Sequence, residues 1–149
     1  MQDKIERQIE IRAPASRVWR ALVDHREFGR WFGVELDGPF IQGQPCRGRI
    51  THPGYEHLVW QATVLRMDPE RLFSFSWHPY AIDPSVDYSS ESPTVVEFHL
   101  EKTADGVLLR VIESGFAKLP LHRRDEAFRM NADGWTAQMK NIESHLARE

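Results

Sequence analysis

The sequence predicts an α+β fold in which a curved antiparallel sheet of six to seven strands wraps around a long C-terminal helix, with two short helices after the first strand. Three observations predict it. Between residues 34 and 114, apolar side chains alternate with polar ones and Gly, Pro and Asp punctuate the runs, as in strands joined by hairpins. After Pro120 the period changes, and Phe128, Ala132, Trp135, Met139, Ile142 and Leu146 step by 4, 3, 4, 3 and 4. A sheet with one apolar face needs a cover, and this helix is the only element long enough to supply it.

Each element has its own signal. Residues 4–12 (KIERQIEIR) place Ile5, Ile9 and Ile11 on one side and Glu6, Gln8, Glu10 and Arg12 on the other, a strand. Pro14 suits the first turn of a helix, and Val18, Trp19, Leu22 and Val23 follow as an apolar stripe. REFGRWF adds a short helical turn with Phe28, Trp31 and Phe32 facing inward. Strands then follow at VELDGPF, at 45–52 (PCRGRITH), at 57–68 (HLVWQATVLRMD) and at 71–78 (RLFSFSWH). In the last of these Phe73, Phe75 and Trp77 share one face. Residues 79–93 carry three Pro and no period, so they read as a long ordered loop, a lid or binding element. Strand 94–102 points Val96, Phe98 and Leu100 inward, and Asp105-Gly106 makes the tight turn into VLLRVIESG. Gly134 interrupts the final helix at a cost of about 1 kcal/mol relative to Ala, which implies a need for room at the helix backbone.

The 149 residues fit one domain, 1–149, with 19 basic and 22 acidic side chains and no block of like charge. A nucleic-acid partner is therefore not expected. The N-terminal MQDKIERQIE lacks the apolar core of a signal peptide, and no run approaches the roughly 20 apolar residues of a membrane span. The expected setting is the cytoplasm. One cysteine, Cys46, cannot hold an iron–sulfur cluster, and the absence of a dinucleotide, flavin or P-loop fingerprint argues against nucleotide binding, so no cofactor is expected.

The segments IEIRAPASRVWRALVDHREFGRWF, VLRMDPERLFSFSWHP, VIESGF and NADGWTAQMKNIESHL together resemble the START-like (Bet v1-like) helix-grip superfamily. Within it they are similar to the branch of the Hsp90 ATPase activator C-terminal domain. The resemblance spans about residues 4–147. It implies a hydrophobic cavity between the long helix and the sheet. It also implies a choice among three activities: a binder of a hydrophobic or amphipathic small molecule, an Hsp90-type chaperone partner, or a polyketide aromatase/cyclase. Fold alone does not choose among them.

The candidate site follows from the inner faces. In VLLRVIESG, Arg110 marks the wet face, so Glu113 continues the row of Val107, Leu109 and Val111. Asn131 lies three residues after Phe128 and four before Trp135, on the helix's inner face. Glu113 and Asn131 then form the polar end of an apolar pocket, where the carboxyl orients a ligand or acts as a general acid or base. Alternatively Glu113 caps the helix start or pairs with Arg123 or Arg124. Trp31, Phe32, Phe73, Phe75, Trp77, Phe98, Phe128 and Trp135 either line a cavity or fill a core. Asp83 and Asp87 on the loop match no calcium-loop spacing, and His52 and His57 flank a turn that does not aim both at one ion, so no metal is expected. Antiparallel sheet edges can pair in a homodimer.

Overall fold

The computed structural model describes residues 3–148. Strand β1 (Lys4–Ile11) leads through Pro14 into α1 (Ala15–Val23) and α2 (His25–Phe32). Strands β2 (Val34–Leu36), β3 (Pro45–Ile50), β4 (Val59–Asp68), β5 (Leu72–Trp77), β6 (Thr94–Lys102) and β7 (Val107–Ser114) precede helix α3 (Leu121–Ala147). The seven strands form one antiparallel sheet in the order β1-β7-β6-β5-β4-β3-β2. The chain thus walks along the sheet hairpin by hairpin, and only β1 crosses over to close the far side. Helix α3 lies against the sheet's apolar face and contacts β1 and α2, an α+β helix-grip arrangement as the pattern predicts.

The boundaries follow local chemistry. Pro14 stands outside α1 as its N-cap rather than inside its first turn. Asp24 separates the two short helices, its carboxylate accepting from the backbone N–H groups of Arg26 and Glu27 at the start of α2. Gly33 ends α2 at φ 95°, a left-handed cap that costs glycine little, and the chain turns directly into β2. Strand β4 begins two residues later than its sequence pattern suggests, because Leu58 N–H closes a turn back to the Tyr55 carbonyl.

The alternation in β7 is strict. Val107, Leu109, Val111 and Glu113 are fully buried, and Leu108, Arg110, Ile112 and Ser114 are half-buried on the opposite face. Glu113 lies opposite Ile5 on one side and Val96 on the other, in the middle of the covered part of the sheet. On α3 the buried positions are Ala127, Trp135, Met139, Ile142 and Leu146. The expected stripe holds for its C-terminal half. In its first turns Ala127 takes the inward place, and Phe128 turns aside to pack edge-on against Phe116, ring centroids 5.1 Å apart.

Candidate functional site

Glu113 is wholly enclosed and accepts four hydrogen bonds. Trp135 Nε1 (2.8 Å) and Asn131 Nδ2 (2.9 Å), both from α3, donate to Oε1. Trp77 Nε1 (2.7 Å) from β5 and Thr94 Oγ1 (2.6 Å) from β6 donate to Oε2. The two carboxyl oxygens together offer about four lone-pair sites, and this set uses them all, so a single side chain ties two strands, two indoles and the helix at one point. Neither arginine considered as a partner reaches it. Arg123 forks onto Glu91 (2.6 and 2.9 Å), and Arg124 donates to the Leu119 carbonyl.

Around this anchor the rings pack into one another. Phe28, Trp31, Phe32, Trp60, Phe73, Phe75, Trp77, Phe98 and Trp135 form a continuous network with centroid separations of 4.8 to 6.5 Å. Phe73, Phe75 and Phe98 are completely buried within it, and Trp31 spends its N–H on the Ala21 carbonyl at 2.8 Å. The Trp60 N–H is buried with no partner. The space between sheet and helix is therefore largely filled by side chains.

What stays open is a pocket of about 90 Å³ lined by Phe32, Trp77, Asn131, Gly134, Trp135 and Gln138. Gly134 borders the opening on the exposed side of the helix, where an added Cβ would meet no atom within 4 Å. Gln138 forms the other wall, its Nε2 donating to the Phe32 carbonyl at the end of α2 and its Oε1 accepting from Asn141. Larger depressions are about 760 Å³, lined by Gln61, His78 and also Trp77, about 460 Å³, lined by Gln61 and His78, and about 570 Å³, between β1 and the α3 residues Phe128 and Ala132.

The sequence-derived candidates thus divide. Phe32, Trp77, Asn131 and Trp135 line the pocket, and Glu113 stands behind Trp77, Asn131 and Trp135 as their common acceptor. Trp31, Phe73, Phe75 and Phe98 belong to the packed core. Phe128 lies apart, in a groove shared with the residues of β1. Gln138, Thr94 and Trp60 were not legible as site residues, since none breaks a pattern in its own segment.

The remaining candidates have local tasks. Asp83 Oδ1 accepts from Ser85 N and Oγ, and Asp87 Oδ1 accepts from Ser89 N, so each carboxylate caps its own turn. These bonds hold both carboxyls below the usual range. Among the described residues no three His, Cys, Asp or Glu side chains converge as a metal site. Burial pushes the Cys46 thiol up to about 11, which leaves little thiolate at neutral pH. The 79–93 loop is strapped to α3 by Arg123, which also donates to the Pro79 and Tyr80 carbonyls and lies 4.8 Å from the Tyr88 ring centre. Among the described residues no helix is long and apolar enough to cross a membrane.

Comparison with known proteins places this geometry in context. The family described as Activator of Hsp90 ATPase homolog 1-like protein matches residues 12–147. No curated protein sequence is significantly similar to the chain. A crystal structure of a protein from Mesorhizobium loti is 24% identical with a TM-score of 0.77, and 97% of each chain is covered. A solution structure of an Arthrobacter aurescens protein is 15% identical with a TM-score of 0.79, covering 98% of this chain and 87% of that one. A putative protein in the dynemicin biosynthetic locus is 20% identical with a TM-score of 0.74, and this chain spans 48% of its length. At these identities the structures share the fold.

Proposed function

The chain belongs to the family of Activator of Hsp90 ATPase homolog 1-like proteins, and from that premise we propose that it binds a small amphipathic ligand in the pocket at Gly134. One observation carries the reading: an interior helix glycine, costing about 1 kcal/mol, borders a pocket lined by the rings of Phe32, Trp77 and Trp135 and by the Asn131 and Gln138 amides.

Volume decides among ligand classes. At about 90 Å³ the pocket is well below the roughly 300–1,000 Å³ of sites for drug-sized ligands. It admits a group of a few heavy atoms and excludes a folded polyketide chain. An aromatase/cyclase reading also asks Glu113 to exchange protons with substrate, and each of its oxygens already accepts two bonds. Two of those bonds would have to open first.

The second reading, an interaction domain for an Hsp90-type chaperone, draws on the family to which the chain belongs. Its test is the ATPase rate of the cognate chaperone with and without the chain. Native mass spectrometry of freshly purified protein tests the first reading: a co-purifying small mass supports it. If indole N–H signals of Trp77 and Trp135 stay fixed across a library of small amphipathic compounds, the pocket is not a binding site.

A further inference from the structure

Resting on the small-ligand reading, we infer that the group held at Gly134 is an organic cation, a methylated ammonium. The argument starts from what the pocket offers a ligand. Phe32, Trp77 and Trp135 supply three ring systems with centroids 5.9 to 6.1 Å apart and planes inclined by 31° to 58° to each other. Rings so inclined do not make a flat slot for another ring. An ammonium lying within about 6 Å of several ring centres is attracted by each.

The hydrogen-bonding groups point the same way. Both indole N–H groups are turned away from the pocket onto Glu113, and the Asn131 and Gln138 amide nitrogens are bonded to Glu113 and to the Phe32 carbonyl. An anion therefore meets walls whose donors are engaged inward. Among the described residues none donates to the Asn131 carbonyl oxygen, which is left as an acceptor. No charged side chain lines the pocket. Glu113 lies behind these walls, and the four groups that donate to it, two indoles, an amide and a hydroxyl, include no cationic side chain. Donation of both indole N–H groups to that carboxyl also polarises the rings toward the negative side. Rings without free N–H donors and an open carbonyl acceptor favour a cationic group over an anionic one.

The test is a titration of the full chain, followed by tryptophan fluorescence and by the indole N–H signals of Trp77 and Trp135. The probes are choline and its uncharged isostere 3,3-dimethylbutan-1-ol. Choline is expected to shift both indole signals and to saturate at about tenfold lower concentration than the alcohol. Phe32→Leu, checked for folding by circular dichroism, is expected to weaken choline about fivefold and to leave the alcohol within about twofold. If Phe32→Leu fails to fold, Gly134→Leu serves instead: filling the pocket must abolish the choline shifts. Equal or tighter binding of the alcohol overturns the inference of charge while the small-ligand reading stands. Indole signals unmoved by either probe overturn this inference, and the small-ligand reading falls only if the wider library also leaves them fixed.

Discussion

Asn131 Nδ2 stands 2.9 Å from Glu113 Oε1, so one hydrogen bond joins the last strand of the sheet to the middle of the helix that covers it. The same carboxyl holds the indoles of Trp77 and Trp135, so Glu113 is a structural tie that also positions three of the side chains lining the pocket. Stability and binding at this site are therefore coupled, and the two can be separated by choice of substitution.

Glu113→Gln keeps the shape and replaces one acceptor oxygen by a donor. Whichever way the amide turns, at least one indole N–H faces another N–H in a buried site. The expected loss is about 2–3 kcal/mol, since buried donors left unpaired cost more than the average bond contributes. Urea unfolding checks it; a variant as stable as the parent would show that the four bonds contribute little.

Trp60 and Trp135 are expected to respond unequally to the same substitution. Trp135→Phe removes a donor from Glu113 and is expected to cost roughly 2 kcal/mol. Trp60→Phe removes a buried N–H that has no partner, so the lost ring area and the relieved desolvation offset each other to within about 1 kcal/mol. Thermal unfolding of the two variants side by side makes the comparison.

Gly134→Ala is expected to stabilise the helix by about 1 kcal/mol, raising Tm by about 2–4 °C, because nothing obstructs the added methyl. The same methyl enters the pocket and is expected to weaken any ligand bound there. A gain in stability with unchanged binding would place the ligand elsewhere.

Glu27 joins the two short helices to the C-terminus of α3. It meets Arg17 at 2.8 Å, Arg20 at 3.0 Å and His145 at 2.8 Å. Burial works to raise its carboxyl, and the bonds from His145, Arg17 and Arg20 outweigh burial and hold it below its ordinary value. A carboxyl lowered in the folded state stabilises fully above its unfolded value and loses that contribution as pH falls through the folded one. The stability difference between the parent and Glu27→Gln is therefore expected to shrink in acid, from about pH 4.5 downward. Denaturant titrations across that range follow it, and a difference independent of pH would contradict it.

Arg123→Ala removes the fork to Glu91 and the bonds to Pro79 and Tyr80. Both side chains of the ion pair are nearly enclosed, about 12% and 11% exposed, so the pair is not a solvent-screened surface contact. The 79–93 loop is expected to open locally while the sheet persists. Faster proteolytic cleavage within 79–93, with little change in the global unfolding midpoint, is the expected result.

How much of this was legible in the sequence depends on range. The alternation of β7 placed Glu113 inward, and the helix stripe placed Asn131 and Trp135 opposite it, because both periods are local properties of the backbone. Thr94 was not legible: it opens β6 and looks like any strand-start threonine until β6 and β7 are in register. Phe128 fitted the stripe by spacing, yet Phe116, in a short turn twelve residues earlier, claims its ring. Whether the rings would line a cavity or fill a core rested on the curvature of the sheet, which no single segment encodes.

The most direct measurement of the central claim is the indole N–H spectrum of the full chain, with Trp77 and Trp135 assigned, during titration with small amphipathic compounds. The account predicts saturable shifts of these two signals, while Trp31, bonded to Ala21 in the core, stays fixed. Shifts spread over all indoles, or confined to residues outside the pocket, would contradict it.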